Sequence, residues 1–219
     1  MPRRFARLFL ISALLLLCAC AKRPWPDQLL EVAPGHTLAI QIPPGRWQVS
    51  AQSPEFLVAE MTEHLAHDLE AQGKTVDEAA LQAAVAKRLA ANEHFIFNPV
   101  SGAHLDIDFS PLAAGESAPS RRLVADSARF AAESLIGEEG VTEVNHRVRR
   151  ERVKGADYAY SLDAAYRKHD VPTRFYGLIG FVRDSWFFFY FTESGKDPED
   201  YPEARCMLRS ARLIPGVSR

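Results

Sequence analysis

Ser185-Trp-Phe-Phe-Phe-Tyr-Phe-Thr192 is the stretch on which the reading of this chain turns. Its six consecutive aromatic residues, Trp186 to Phe191, contain no charge and no proline. Left at an edge, such a segment would template aggregation. It therefore has to be a central strand with apolar cover on both faces. Working back from it, Thr173–Val182, Tyr158–Arg167 and Val144–Val153 share a period of two, and short turns at Arg183-Asp184, His169–Pro172 and Gly155 separate them. Four such strands joined by short turns predict an antiparallel meander. Tyr158, Tyr160, Leu162 and Tyr166 fall on one face of their strand, since alternate side chains share a side.

Upstream the period changes. Leu57, Val58, Met61, Leu65 and Leu69 recur at helical spacing, and Gly73 suits a stop. Thr75-Val-Asp-Glu78 has the form of a capping box and opens a second helix striped by Leu81, Val85 and Leu89. Residues 55–92 thus read as a helical hairpin. Thr37–Ile42, Arg46–Ser50, Phe95–Phe97 and His104–Phe109 read as strands. Leu123, Val124, Phe130, Ala131 and Leu135 mark a third helix. A last helix starts near Pro198 or Pro202, both suited to a first turn, and runs to about Ser210. The expected class is α+β, an antiparallel sheet covered by helices, with the hairpin inserted.

The N-terminus differs in kind. Arg3, Arg4 and Arg7 precede an apolar run, Leu8 to Leu17, that is short for a membrane span and has the layout of a secretory signal. Leu17-Cys18-Ala19-Cys20 resembles the lipobox of bacterial lipoproteins. That resemblance implies cleavage after Ala19, a diacylglyceryl group on Cys20 and often a third acyl chain such as palmitate. The expected organisation is a signal peptide over 1–19, the lipidated cysteine and an extended proline-containing tether over 20–36, and one α+β domain over 37–219. With Cys18 removed and Cys20 acylated, Cys206 is expected to form no intramolecular disulfide and to sit buried on the last helix.

A strand ending in Ile42-Pro43-Pro44-Gly45-Arg46-Trp47, a mid-chain helix, a meander entered near Gly155 and a helix leading to Ser210 together resemble the PsbP-like fold. That group includes the photosystem II extrinsic subunit P, eukaryotic GTPase-binding relatives and bacterial lipoproteins of the DcrB type. The resemblance spans roughly residues 37–214, with the hairpin as a departure. It implies a protein that binds or assists other proteins and is not an enzyme. It supplies no functional residue to carry over.

Three constellations are candidates for chemistry. Glu60, Glu63, His64 and His67 lie three and four apart on the first helix, within reach of one another and of a metal such as zinc. A solvated helix face explains them equally. His104, Asp106 and Asp108 alternate with Leu105, Ile107 and Phe109, which suits a cation site or the wet face of a half-buried strand. His146, Arg147, Arg149, Arg150, Arg152 and Lys154 make a basic strand. It suits anionic lipid headgroups or an acidic protein, or else protects a sheet edge. No nucleophile elbow, phosphate loop or dinucleotide fingerprint is present, which disfavours an enzyme.

The 219 residues carry a formal net charge of −2, and loss of Arg3, Arg4 and Arg7 with the signal takes it to −5. Export and acidity disfavour nucleic acid as a partner. The expectation is a lipid-anchored, non-enzymatic envelope protein that needs no cofactor and binds another envelope protein. Its contact surface is either the hairpin or the basic strand. Ala21 after the acylated cysteine favours the periplasmic face of the outer membrane over the inner membrane, by resemblance to sorting in enteric bacteria. The alternatives are a carrier or sensor of a small apolar ligand walled by Tyr158, Tyr160, Phe175, Phe181, Trp186, Phe188 and Tyr190, and a metal-dependent hydrolase built on His64 and His67.

Overall fold

The computed structural model describes residues 25–33, 35–75, 77–138, 140–193 and 195–215. The architecture is α+β with an open, antiparallel main sheet. Seven strands lie in the order β3-β4-β5-β9-β8-β7-β6: β3 (Gln48–Ser50), β4 (Asn92–Phe97), β5 (His104–Pro111), β6 (Val141–Glu151), β7 (Tyr158–Lys168), β8 (Val171–Val182) and β9 (Ser185–Thr192). The four-strand meander is present, and β9 is central, paired with β5 on one side and β8 on the other. A smaller sheet has the order β1-β2-β10, from β1 (Asp27–Glu31), β2 (His36–Gln41) and β10 (Arg212–Pro215). The helices are α1 (Glu55–Ala71) and α2 (Glu78–Leu89), which form the hairpin, α3 (Arg121–Ser134), and α4 (Asp200–Ser210).

The core lies between the two sheets. Leu105, Ile107 and Phe109 of β5 stand opposite Phe191, Phe189 and Phe187 of β9, and all six are buried. Over them pack Leu38, Ile40 and Leu213 of the small sheet and Ala204, Met207 and Leu208 of α4. Gly180 makes this fit possible: a Cβ there would stand 2.1 Å from Cζ of Phe187. Gly155 serves the same purpose at the β6–β7 turn. It has φ +91, and a Cβ would lie 2.0 Å from the Leu213 carbonyl oxygen, so any side chain would push β10 away.

The second face of the main sheet is covered at its two ends. Leu57, Val85 and Leu89 of the hairpin bury Phe95 of β4, while α3 lies over β6, β7 and β8.

Three expectations are corrected. Residues 27–31, expected within the extended tether, form β1. They pair in register with β2, and Leu30 enters the core. β10 was not expected, because four residues carry too little periodicity to read. The stripe of α3 is rotated: Val124, Ala125, Ala128 and Ala132 are buried, and Leu123 and Phe130 are exposed.

Candidate functional site

The acidic strand β5 places His104, Asp106 and Asp108 on the second face, opposite Thr192, Tyr190 and Phe188 of β9. This strip is more covered than a wet strand face would be. His104 is buried; its Nδ1 donates to the Gly102 carbonyl at 3.1 Å, and its ring lies 6.1 Å from that of Phe56. Oδ1 of Asp106 is buried with no hydrogen-bond partner. Burial pushes the carboxyls of Asp106 and Asp108 up, with the His104 charge opposing this at Asp106 and a Ser110 hydrogen bond opposing it at Asp108. In the neighbouring register shift of β4, Glu93 is pushed up to about 7, first by burial and then by the charge of Asp108. Burial along the strip thus works against ionisation of its carboxyls. The rings of Trp186, Phe188 and Tyr190 follow one another at 6.1 Å centroid spacing. Phe175 lies 5.5 Å from Tyr190, and Phe181 lies 5.9 Å from Trp186. These side chains, suggested as walls of a ligand pocket, pack against each other.

On α1 two of the four suggested metal ligands, His64 and Glu60, are brought together. His64 Nε2 is 3.7 Å from Glu60 Oε1, and its ring stacks on that of His169 in the β7–β8 turn at 6.4 Å and 13°. Glu63 instead lines an open groove of about 490 Å³ with Val58, Ala59, Thr62 and Gln82, and His67 is exposed. Among the described residues no three His, Cys, Asp or Glu side chains are grouped so as to hold a metal ion.

The α3–β6 side has a different character. Ser120 caps α3 by accepting from the Leu123 amide at 3.2 Å, as an N-cap serine does. Its buried face consists of alanines and Val124, so the helix sits close to the sheet. Its outer side leaves Leu123 51%, Phe130 73% and, just beyond, Ile136 60% exposed. Leu123 and Phe130, seven apart, share one helical face. Arg122 and Arg129 flank them, and both pair with Asp126. Arg121 lies 5.5 Å from the Tyr158 ring centroid. Beside α3, β6 ends the main sheet, so among the described residues one edge of its backbone carries no neighbouring strand. Arg147, Arg149, Arg150 and Arg152, named from sequence as a binding surface, are all exposed. A register shift between Thr142 and Asn145, with Glu143 at φ 55, bends the start of this edge. The pairing from Asn145 to Glu151 is regular. Leu123 and Phe130 read from sequence as part of the stripe of this helix, and Ile136 was not singled out. The alanines at 125, 128 and 132 carried the true phase.

One polar cluster, half-buried at Arg46 and Asp197 and buried at Asp200 and Glu203, also went unnoticed. Arg46 Nη2 donates to Asp197 Oδ2 at 2.8 Å and Asp200 Oδ1 at 3.0 Å, and Nη1 lies 3.4 Å from Glu203 Oε2. Trp47 Nε1 donates to Glu203 at 2.8 Å, and Asn98 donates to Asp200 at 2.9 Å. These bonds clamp the Pro43–Trp47 loop and the β4–β5 turn to the start of α4. Cys206, on the same helix, is half-exposed and disulfide-bonded, which corrects the expectation of a buried thiol with no bridge. The suggested lipidation site Cys20 and cleavage site Ala19 lie outside the described residues. Among the described residues no helix is long and apolar enough to cross a membrane.

No protein-family model matches the chain, and no curated protein matches it. Solved structures do. The solution structure of cyanobacterial PsbP (CyanoP) from Synechocystis sp. PCC 6803 superposes with a TM-score of 0.51 at 8% identity, over 88% of this chain and 95% of that one. The crystal structure of LpqN, described as involved in cell envelope biogenesis of Mycobacterium tuberculosis, gives 0.49 at 10% identity, over 90% and 95%. At such identities the likeness is one of fold. The CyanoP superposition, with the meander, the late helix and the clamped Pro43–Trp47 loop, makes the fold of this chain PsbP-like.

Proposed function

We propose that this chain is a lipid-anchored, non-enzymatic module of the cell envelope that binds another protein through the α3–β6 face. The lipobox resemblance at Leu17–Cys20 supports the anchor, and by the same sorting resemblance the periplasmic face of the outer membrane is its place. The observation that carries the binding reading is the exposure of Leu123, Phe130 and Ile136 beside an open basic strand. Contiguous exposed apolar groups rimmed by polar residues mark interaction surfaces. Of the two contact surfaces expected from sequence, the hairpin offers an open groove in which Val58 and Ala59 sit among Glu55, Thr62, Glu63 and Gln82. The stronger apolar face is on α3.

The test is in-cell cross-linking and affinity capture of the tagged full-length chain beside Leu123→Ser/Phe130→Ser. A specific protein captured by the wild type and lost from the variant, with unchanged circular dichroism, supports the reading. A specific protein retained equally by the variant removes α3 from it. Capture of no specific protein by either form sinks it.

A further inference from the structure

We infer that the β6 edge from Asn145 to Glu151 accepts an extended acidic segment of the partner as an added antiparallel strand. This rests on the protein-binding reading above and names the chemistry of what binds. Three observations combine. β6 is the terminal strand of the seven-stranded sheet, so half of its backbone N–H and C=O groups face away from β7. An unpaired strand edge is a template for another chain. Its exposed side chains are cationic on both faces of the sheet: Arg147 and Arg149 share one face, and Arg150 lies on the other with His146 and Val148. Among the described residues, Arg149, Arg150 and Arg152 have no ion pair within 4.0 Å. Their charge is therefore not consumed within the fold. Finally, the edge bends only at its start, where Thr142–Asn145 shifts register; the remaining segment is regular enough to extend a ladder.

Edge protection alone requires only that charge keep other strands away. A row of one sign does something more selective. It sets arginine against arginine if a second copy pairs here, and it attracts a strand of the opposite sign. This combines repulsion of the wrong partner with attraction of the right one. A lipid surface would satisfy the arginines but not the backbone groups, so the edge favours a peptide. The register sets its pattern. Acidic residues stand opposite Arg147, Arg149 and Arg150, and an apolar residue stands opposite half-buried Val148, which itself faces Leu162 across β7. Read antiparallel, that is acid-acid-apolar-acid.

The probe is an acetylated, amidated peptide Thr-Glu-Glu-Val-Glu-Thr, titrated by fluorescence anisotropy into the full chain at low salt. Its comparators are the same peptide with N-methylated backbone amides at alternate positions and a version with lysine for glutamate. The expected result is saturable binding of the acidic peptide alone. Arg149→Glu/Arg150→Glu should weaken it about tenfold or more, as opposite-charge cross-strand pairs become like-charge ones. The β6 amides should gain hydrogen-exchange protection on binding. Equal binding of the N-methylated peptide would reduce the effect to charge attraction and overturn the inference, as would no binding of the acidic one. Either result, found while the cross-linking experiment still captures a partner through α3, would leave the wider reading standing. Loss of partner capture altogether would remove both.

Discussion

At the scale of single residues the buried ionisable groups separate into two behaviours. Arg46 is held by Asp197, Asp200 and Glu203, and Asp200 has no exposed surface. Removing the cation would leave a buried carboxylate without its counter-charge, which typically costs about 3 to 5 kcal/mol. Arg46→Met should therefore lower the urea midpoint strongly at unchanged slope. A loss under about 1 kcal/mol would show that the clamp is not a stability element. Glu93 behaves in the opposite way. Its folded carboxyl is pushed from 4.5 to about 7, so between these values the folded state binds more protons than the unfolded chain. The stability from this group is complete below about 4.5 and is lost as pH rises through 7. Asp106 and Asp108, also pushed up by burial, have the same sign. Unfolding midpoints should accordingly rise on acidification from pH 7.5 to 5. Glu93→Gln should flatten that slope by about 1 to 2 kcal/mol, after allowing for solvent screening of a partly exposed group. An unchanged slope in the variant would mean that its carboxyl ionises normally.

Elements were legible in the sequence to the extent that their burial is one-sided and periodic. The meander could be read because short turns separate its strands and because the uncharged aromatic run of β9 had to be central. The hairpin could be read from the Leu81, Val85 and Leu89 stripe, but its cap is corrected: Asp77, and not Thr75 of the expected capping box, closes the helix start by accepting from the amides of Ala79 and Ala80. β1 and β10 were lost because each owes its existence to pairing with β2, a tertiary partner that no local pattern announces. α3 was found but mis-phased, since its sheet-facing side consists of alanine and large apolar residues sit outside. The basic strand was legible as a candidate surface. Its place at a sheet edge was one of the readings left open, and the strand order bears that out; the apolar helix face beside it was not legible, because the phase of α3 follows its alanines. The phase of α3 gives its own prediction. Phe130→Ser should change stability by no more than about 0.5 kcal/mol, as exposed sites do. Ala128→Leu, on the buried face, should cost about 1 to 3 kcal/mol by overpacking against β7. The reverse ranking in denaturant melts would restore the stripe expected from sequence.

At the scale of the whole molecule, the small sheet ties the beginning of the described chain to its end. β2 pairs on one side with β1 and on the other with β10, and Arg212 bonds Asp27 at 2.7 Å. The point where the chain enters the fold is thereby fixed close to residue 27, so an anchor at Cys20 would have a tether of only a few residues. A tether this short would restrict the range of orientations of the sheet over the bilayer and keep the α3–β6 face near the envelope components it is proposed to meet. Stable attachment requires at least two acyl chains, since one binds only reversibly. In a bacterial host, the wild type should fractionate with membranes and resist extraction by salt. Its intact mass should lack residues 1–19 and include the added lipid. Cys20→Ser should instead accumulate in soluble or unprocessed form, because the residue that receives the diacylglyceryl group is gone. Membrane association of Cys20→Ser equal to that of the wild type would remove the anchor from the proposal and leave the α3–β6 face to account for any attachment by itself.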